Sequence, residues 1–230
     1  GPEYALIWQC EPDHTQHAVA LGSPEHLAVI AAADANAGRI ADRVEELDPT
    51  GENILLLVGS DHGHETTTEI VDLDEVLVAA GLKDGPDSRE VAIAPQGTSV
   101  TIYLAPEAME REGAIVHFLM EHPAVGGVVH GADLAKLGMP VGEGVPRIAV
   151  TGRVTDAPNE YGVKGGSVAF QGTLKISNNQ GCGQHGGLGT YEQSPFAMAR
   201  GPLYAGGTES GDPTSTVELA PTILRHLGRD

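Results

Sequence analysis

A continuous apolar run, Ile54-Leu55-Leu56-Leu57-Val58, breaks off at Gly59-Ser60 and leads straight into Asp61-His62-Gly63. A run of that kind, bounded by turn residues, suits a strand covered on both faces, as in parallel α/β sheets. The segment before it reads as an amphipathic helix. Ser23 is a good N-cap, and Pro24 suits the first helical position. Leu27, Ile30, Ala37, Ile40, Val44 and Leu47 recur at helical spacing until Asp48-Pro49-Thr50-Gly51 stops the pattern. Tyr4 to Trp8 reads as a short buried strand, with Trp8 in the core. Strand, helix and strand in that order make the right-handed crossover unit.

The rest of the chain continues the alternation. A helix is expected over 73–80, closed by Gly81. Strands are expected at 90–94 and 99–104, separated by Pro95-Gln96-Gly97. Helix composition over 106–121 ends before Pro123. Short strands follow at 126–130 and 147–151. Residues 157–183, rich in Gly and Asn, read as a long loop, with a strand at 195–199 and a final helix at 216–227. The expected fold is α/β, with a central, largely parallel sheet and helices on both faces.

At 230 residues and 40% hydrophobic, the chain can bury a full core. It has no apolar run long enough to span a membrane and no charged-then-apolar leader. The formal net charge is −19, with no basic cluster. That sign disfavours nucleic-acid polymers and anionic membranes. It disfavours phosphate substrates too, unless bound cations reverse the local field. Cys10 and Cys182 read as small buried apolar side chains rather than a disulfide. Nothing here indicates a cellular compartment.

Three islands carry metal-ligand chemistry: Glu11-Pro12-Asp13 with His17, Ser60-Asp61-His62-Gly63, and Gln184-His185-Gly186-Gly187. Asp13 and His17 can converge on one ion if the loop that holds them curls. Asp61 and His62 would point to opposite faces of a regular strand, so they converge only if the backbone turns, which Gly63 permits. Glycines flanking His185 let the backbone pass close to a crowded polar centre. Mixed Asp and His ligation favours zinc, with manganese, iron or cobalt as alternatives.

The order EPD…H, SDHG, HGG resembles the alkaline phosphatase superfamily, and within it the nucleotide pyrophosphatase/phosphodiesterase-like branch. The segment from Ser215 to Gly228 is similar to that family's terminal helix, and Tyr191 to Phe196 to the strand after the last ligand. The resemblance implies that Asp13, His17 and His185 hold one divalent ion and Asp61 and His62 a second, both Zn2+ or alternatively Mn2+. It implies a hydrolase of phosphoric esters, a phosphodiesterase or nucleotide pyrophosphatase, working through a covalent phospho-Thr or phospho-Ser intermediate. The substrate would be a phosphate-ester small molecule or a nucleotide. The family's nucleophile and one further Asp ligand have no counterpart here. Residues 1–230 are therefore expected to form the C-terminal portion of one such domain. Its ligand core would be 1–84 and 184–230, with 85–183 intervening, and a missing N-terminal half or another protomer would be its partner.

Two departures stand out. Gln16 replaces a Gly common in relatives, and His64 a Met. His64 is expected to line the pocket rather than to ligate, with His14, Glu192 and Gln193 also near it. Asp34 could orient a metal-bound His, while His26, His117 and His226 are expected on helix surfaces. The alternatives are a phosphonate hydrolase or phosphomutase of the same superfamily, or a metal-binding domain without turnover.

Overall fold

The computed structural model describes residues 2–174, 176–204 and 206–229; Gly1, Lys175, Ala205 and Asp230, and the parts of the expectations that fall on them, lie outside these. In chain order the first elements are α1 (Asp13–Gln16), α2 (Pro24–Leu47), β1 (Leu56–Gly59), β2 (Glu65–Asp72), α3 (Leu73–Ala79), β3 (Val91–Pro95) and β4 (Ser99–Leu104). A 3-10 turn, Pro106–Arg111, leads into α4 (Glu112–Glu121). After it come β5 (Val125–His130), β6 (Ile148–Gly152), β7 (Val154–Pro158), β8 (Lys164–Gln171), β9 (Gly183–Gln184), β10 (Ala197–Arg200) and α5 (Leu219–His226). Among the described residues, no helix is long and apolar enough to cross a membrane.

The chain divides into two compact units. The first comprises Gly1–Pro12, Ala28–Asp61 and Pro195–Asp230; the second comprises Asp13–Leu27 and His62–Ser194. Among the described residues, every buried apolar side chain belongs to the second unit.

That second unit holds two four-stranded sheets, ordered β3-β4-β6-β5 and β7-β8-β2-β9. Leu73 and Leu77 of α3, Ile115 and Leu119 of α4, Val91, Ile102 and Ile148 of one sheet and Phe170 of the other share a single core. Where the sheets meet, backbone touches backbone. The Val168 amide donates to Arg153 O at 3.0 Å and the Phe170 amide to Gly97 O at 2.8 Å. A Cβ on Gly152 would lie 2.0 Å from Val168 O, so only glycine fits there.

The largely parallel sheet expected from the sequence is not what forms. The fold is mixed α/β, and among the described strands β2 and β8 make the only parallel pair. The reason is connection length. The three residues between β3 and β4 can join antiparallel neighbours and nothing else, and Gly97 at φ +81° makes that turn. The apolar run at 54–58 yields β1, a half-buried strand of the first unit that pairs antiparallel with β10.

Other expectations also change. Tyr4 to Trp8 forms no strand, and Trp8 is 68% exposed rather than core. The expected loop at 157–183 contains β8, six of whose residues in succession are buried. Its composition misleads because Gly165 and Gly166 serve close approach: a Cβ would meet the Tyr191 ring at 2.5 Å and Thr68 Cγ2 at 2.6 Å. Both cysteines are free; Cys10 is exposed and Cys182 half-buried, so neither is a core side chain. His26 is buried instead of superficial, accepting the Gly22 amide at Nδ1 (2.7 Å), and burial lowers its pKa.

In the first unit, a buried carboxyl group organises the turn that stops α2. Asp48 accepts the amides of Asn53 and Ile54, each at 2.8 Å, and the Asn53 side-chain amide at 3.2 Å. Those donors, the Asn53 and then the Ile54 amide foremost, hold its pKa well below the usual carboxylate range. The stabilisation is complete above the ordinary Asp value of about 3.9 and is lost as the pH falls below it, because the unfolded chain then takes up the proton first. Urea midpoints should therefore fall as the pH drops below about 4. Asp48→Asn should lower the midpoint at neutral pH and flatten that acid limb.

Candidate metal centre

Asp13 and His17 come together on a helix rather than in the expected loop. The single turn α1 has the His17 amide bonded to Asp13 O at 3.2 Å, so residues four apart share one face. Asp13 Oδ1 lies 3.4 Å from His17 Nε2. Strand pairing brings in two more imidazoles. Strands β2 and β9 run antiparallel with Glu65 opposite Gln184 and Thr66 opposite Gly183. Extending that register by one residue sets His64 opposite His185, and opposed residues project from the same face. Their ring centroids are 5.0 Å apart.

The outcome is four imidazole Nε2 atoms around one carboxylate oxygen. Asp13 Oδ1 is 3.1 Å from His64, 3.4 Å from His17, 3.5 Å from His185 and 3.9 Å from His62. The ligand atoms of Asp13, His17, His64 and His185 all lie within 4.8 Å of one another. His62 stands outside that set, stacked on the His185 ring at a centroid distance of 3.5 Å. His64 is the most enclosed of the four, its side chain 5% exposed.

This arrangement fits a cation. His17 Nδ1 lies 3.1 Å from Gly183 O and His62 Nδ1 lies 3.0 Å from Gly63 O. A carbonyl oxygen only accepts, so Nδ1 carries the proton in each ring, and neutral Nε2 presents a lone pair. A lone pair aimed at a carboxylate oxygen is repulsive unless positive charge lies between them. Burial, followed by the charges of His185 and His17, pushes the His64 imidazole down to about 3 despite the opposing pull of Asp13. His64 is therefore neutral at pH 7, with its Nδ1 buried and without a hydrogen-bond partner.

The loop carrying His185 is held by a buried carboxyl group. Glu192, 1% exposed, accepts the Thr98 hydroxyl at 2.6 Å and the Gly187 amide at 3.0 Å on Oε2, and the Gly189 amide at 2.9 Å on Oε1. The Thr98 amide donates to His185 O at 3.1 Å, and the Ser99 hydroxyl donates to Gly186 O at 2.6 Å. Gly186, at φ +114°, passes so close that a Cβ would sit 1.9 Å from Gln96 O. Gly63 has no left-handed backbone; it is glycine because a Cβ would lie 2.1 Å from Tyr191 O.

Glu65, which the islands do not include, lies beside Glu192 and is also 1% exposed. It accepts the Tyr191 amide at 3.2 Å, and burial raises its pKa, with the charge of Glu192 adding to the rise. Its signal in the sequence is a charged residue that opens the strand directly after His64. His14 is exposed, and Asp34 is exposed on α2. Asp61 belongs to the first unit, where it too is exposed.

Residues 1–131 match the family of type I phosphodiesterases / nucleotide pyrophosphatases. The chain belongs to this family. No curated protein matches it. Among solved structures it is similar to human ectonucleotide pyrophosphatase / phosphodiesterase 5 (TM-score 0.61, 15% identity, 95% of this chain and 52% of that one). The murine counterpart gives a TM-score of 0.52 and 19% identity over 84% of this chain and 45% of that one. Phosphonoacetate hydrolase from Sinorhizobium meliloti 1021, in complex with phosphonoformate, gives 0.56 and 15% over 94% and 49%. The chain thus spans about half the length of the structures it matches.

The Glu192 hub makes a direct prediction. All three of its partners are donors, so an amide NH2 would face one of them whichever way it is turned. Glu192→Gln should cost on the order of 1–3 kcal/mol in urea unfolding. It should also speed hydrogen exchange at the Gly187 and Gly189 amides ahead of the β3–β4 amides.

Proposed function

We propose that this chain is part of a divalent-metal-dependent hydrolase of phosphoric esters, a phosphodiesterase or nucleotide pyrophosphatase. The observation that carries the reading is the convergence of imidazole Nε2 atoms on Asp13 Oδ1, in a chain of this family. Asp13, His17 and His185 are proposed to hold one ion. Asp61 and His62, adjacent in the sequence, are assigned to a second by the family resemblance alone. Zinc suits the donor set best, with manganese as the alternative. Bound divalent ions supply the positive charge that stabilises phosphoryl oxygens in the transition state.

The chain's own residues do the holding. The α1 turn presents Asp13 and His17 together, the β2–β9 register delivers His185, and Glu192 with Thr98 keeps the His185 loop from drifting. The carbonyls of Gly183 and Gly63 keep the His17 and His62 protons on Nδ1, which leaves Nε2 as the donor. A Thr or Ser outside this chain is proposed to attack phosphorus and expel the alcohol or nucleotide group. Water then hydrolyses the phospho-enzyme.

The partner in this reading is an N-terminal portion of the same domain or another protomer. The first unit supports it, because Leu6, Ile7, Trp8, Phe196 and Met198 are all more than half exposed and none of its described apolar side chains is buried. With a net charge of −19, neither a nucleic-acid polymer nor a membrane is proposed as a partner. A phosphonate hydrolase is the second reading, motivated by the likeness to phosphonoacetate hydrolase.

The complete protein should hydrolyse bis(p-nitrophenyl) phosphate in preference to phosphonoacetate. Exhaustive chelation should abolish the activity and zinc or manganese should restore it, whereas this chain alone should show negligible turnover. Activity that survives chelation would overturn the metal-dependent reading. Preference for phosphonoacetate would replace it with the second.

A further inference from the structure

We propose that His64 is a fourth protein donor to the ion assigned to Asp13, His17 and His185. The inference rests on the reading of those three residues as ligands and adds to it a residue that the three sequence islands do not assign to any ion.

Four donors at about 2.0–2.2 Å from one zinc ion stand roughly 3.3–3.6 Å apart. From Asp13 Oδ1, the Nε2 atoms of His64, His17 and His185 are at 3.1, 3.4 and 3.5 Å, while that of His62 is at 3.9 Å. Of the four imidazoles, His62 is the one outside the mutually close set. Position and burial point the same way. The β2–β9 register places His64 directly across from His185, so the fold that delivers one delivers the other. The His64 side chain is 5% exposed, against 25% for His17, 24% for His62 and 27% for His185. It therefore closes the inner side of the cluster rather than facing the mouth. Three imidazoles and one carboxylate form a donor set of the transition-metal type.

The rival role for His64 is a plain hydrogen bond, Nε2–H donating to Asp13 Oδ1. The two differ in where the proton sits once zinc is present. The test is a zinc titration of this chain labelled with 15N-histidine, followed by long-range proton–nitrogen correlation of the imidazoles. The expected result is that Nε2 of His64 loses its proton and shifts together with Nε2 of His17 and His185, saturating at one ion per chain. Should His17 and His185 respond while His64 Nε2 keeps its proton, the present inference is overturned and the three-ligand reading stands. If none of the three responds, both fall. As a second measurement, His64→Leu should weaken zinc binding by at least about tenfold in competition with a chromophoric chelator, since even outer-shell partners are worth that much. Its fold would be checked by circular dichroism. An unchanged affinity in the folded variant would contradict a direct bond.

Discussion

Like atoms do not gather without a reason, and this structure turns on a place where they do. Two imidazole nitrogens, those of His17 and His62, present electron pairs to a carboxylate oxygen that has its own. Each such contact, without a cation between the partners, is mildly repulsive. What keeps it assembled lies outside it: a helical turn under Asp13 and His17, a two-rung ladder behind His64 and His185, and carbonyls that decide which nitrogen of a ring bears the proton. The polypeptide spends stability on an arrangement that becomes favourable once positive charge enters it.

The supporting frame is unusually dense. Gly63, Gly97, Gly152, Gly186 and Gly187 each sit where a Cβ would come within 3 Å of a neighbouring atom, most often a backbone carbonyl. Such positions let loops from four different strands come within hydrogen-bonding range of one another with no side chain between them. Glu192 uses that closeness, reaching Thr98 and two glycine amides from a single buried group. Rigidity at the His185 loop is therefore a property of backbone packing, with one side chain as its fastener.

Local punctuation was the most legible part of the sequence. Ser23-Pro24 opens α2, Gly81 follows α3, and Pro95-Gln96-Gly97 marks the bend between β3 and β4, because caps and turns depend on neighbours in sequence. Of the five residues that the islands single out as ligands, Asp13, His17, His62 and His185 lie together. Long-range pairing was harder to read. The sequence carries no local signal for β2 and has the composition of a loop over β8, because what makes each a strand is the other, about a hundred residues away. Nothing local in the sequence sets His64 beside His185, since that juxtaposition follows only once Glu65 and Gln184 are known to pair. Tyr4 to Trp8 misled in the opposite sense: it is apolar, yet no described side chain of its own unit buries it.

The central position of β2 carries a consequence for biosynthesis. It is flanked by β8 and β9, both of which are translated more than ninety residues after it. On a ribosome, His17, His62 and His64 emerge before the segment ending in His185. The nascent chain therefore cannot complete this centre until His185 has been made.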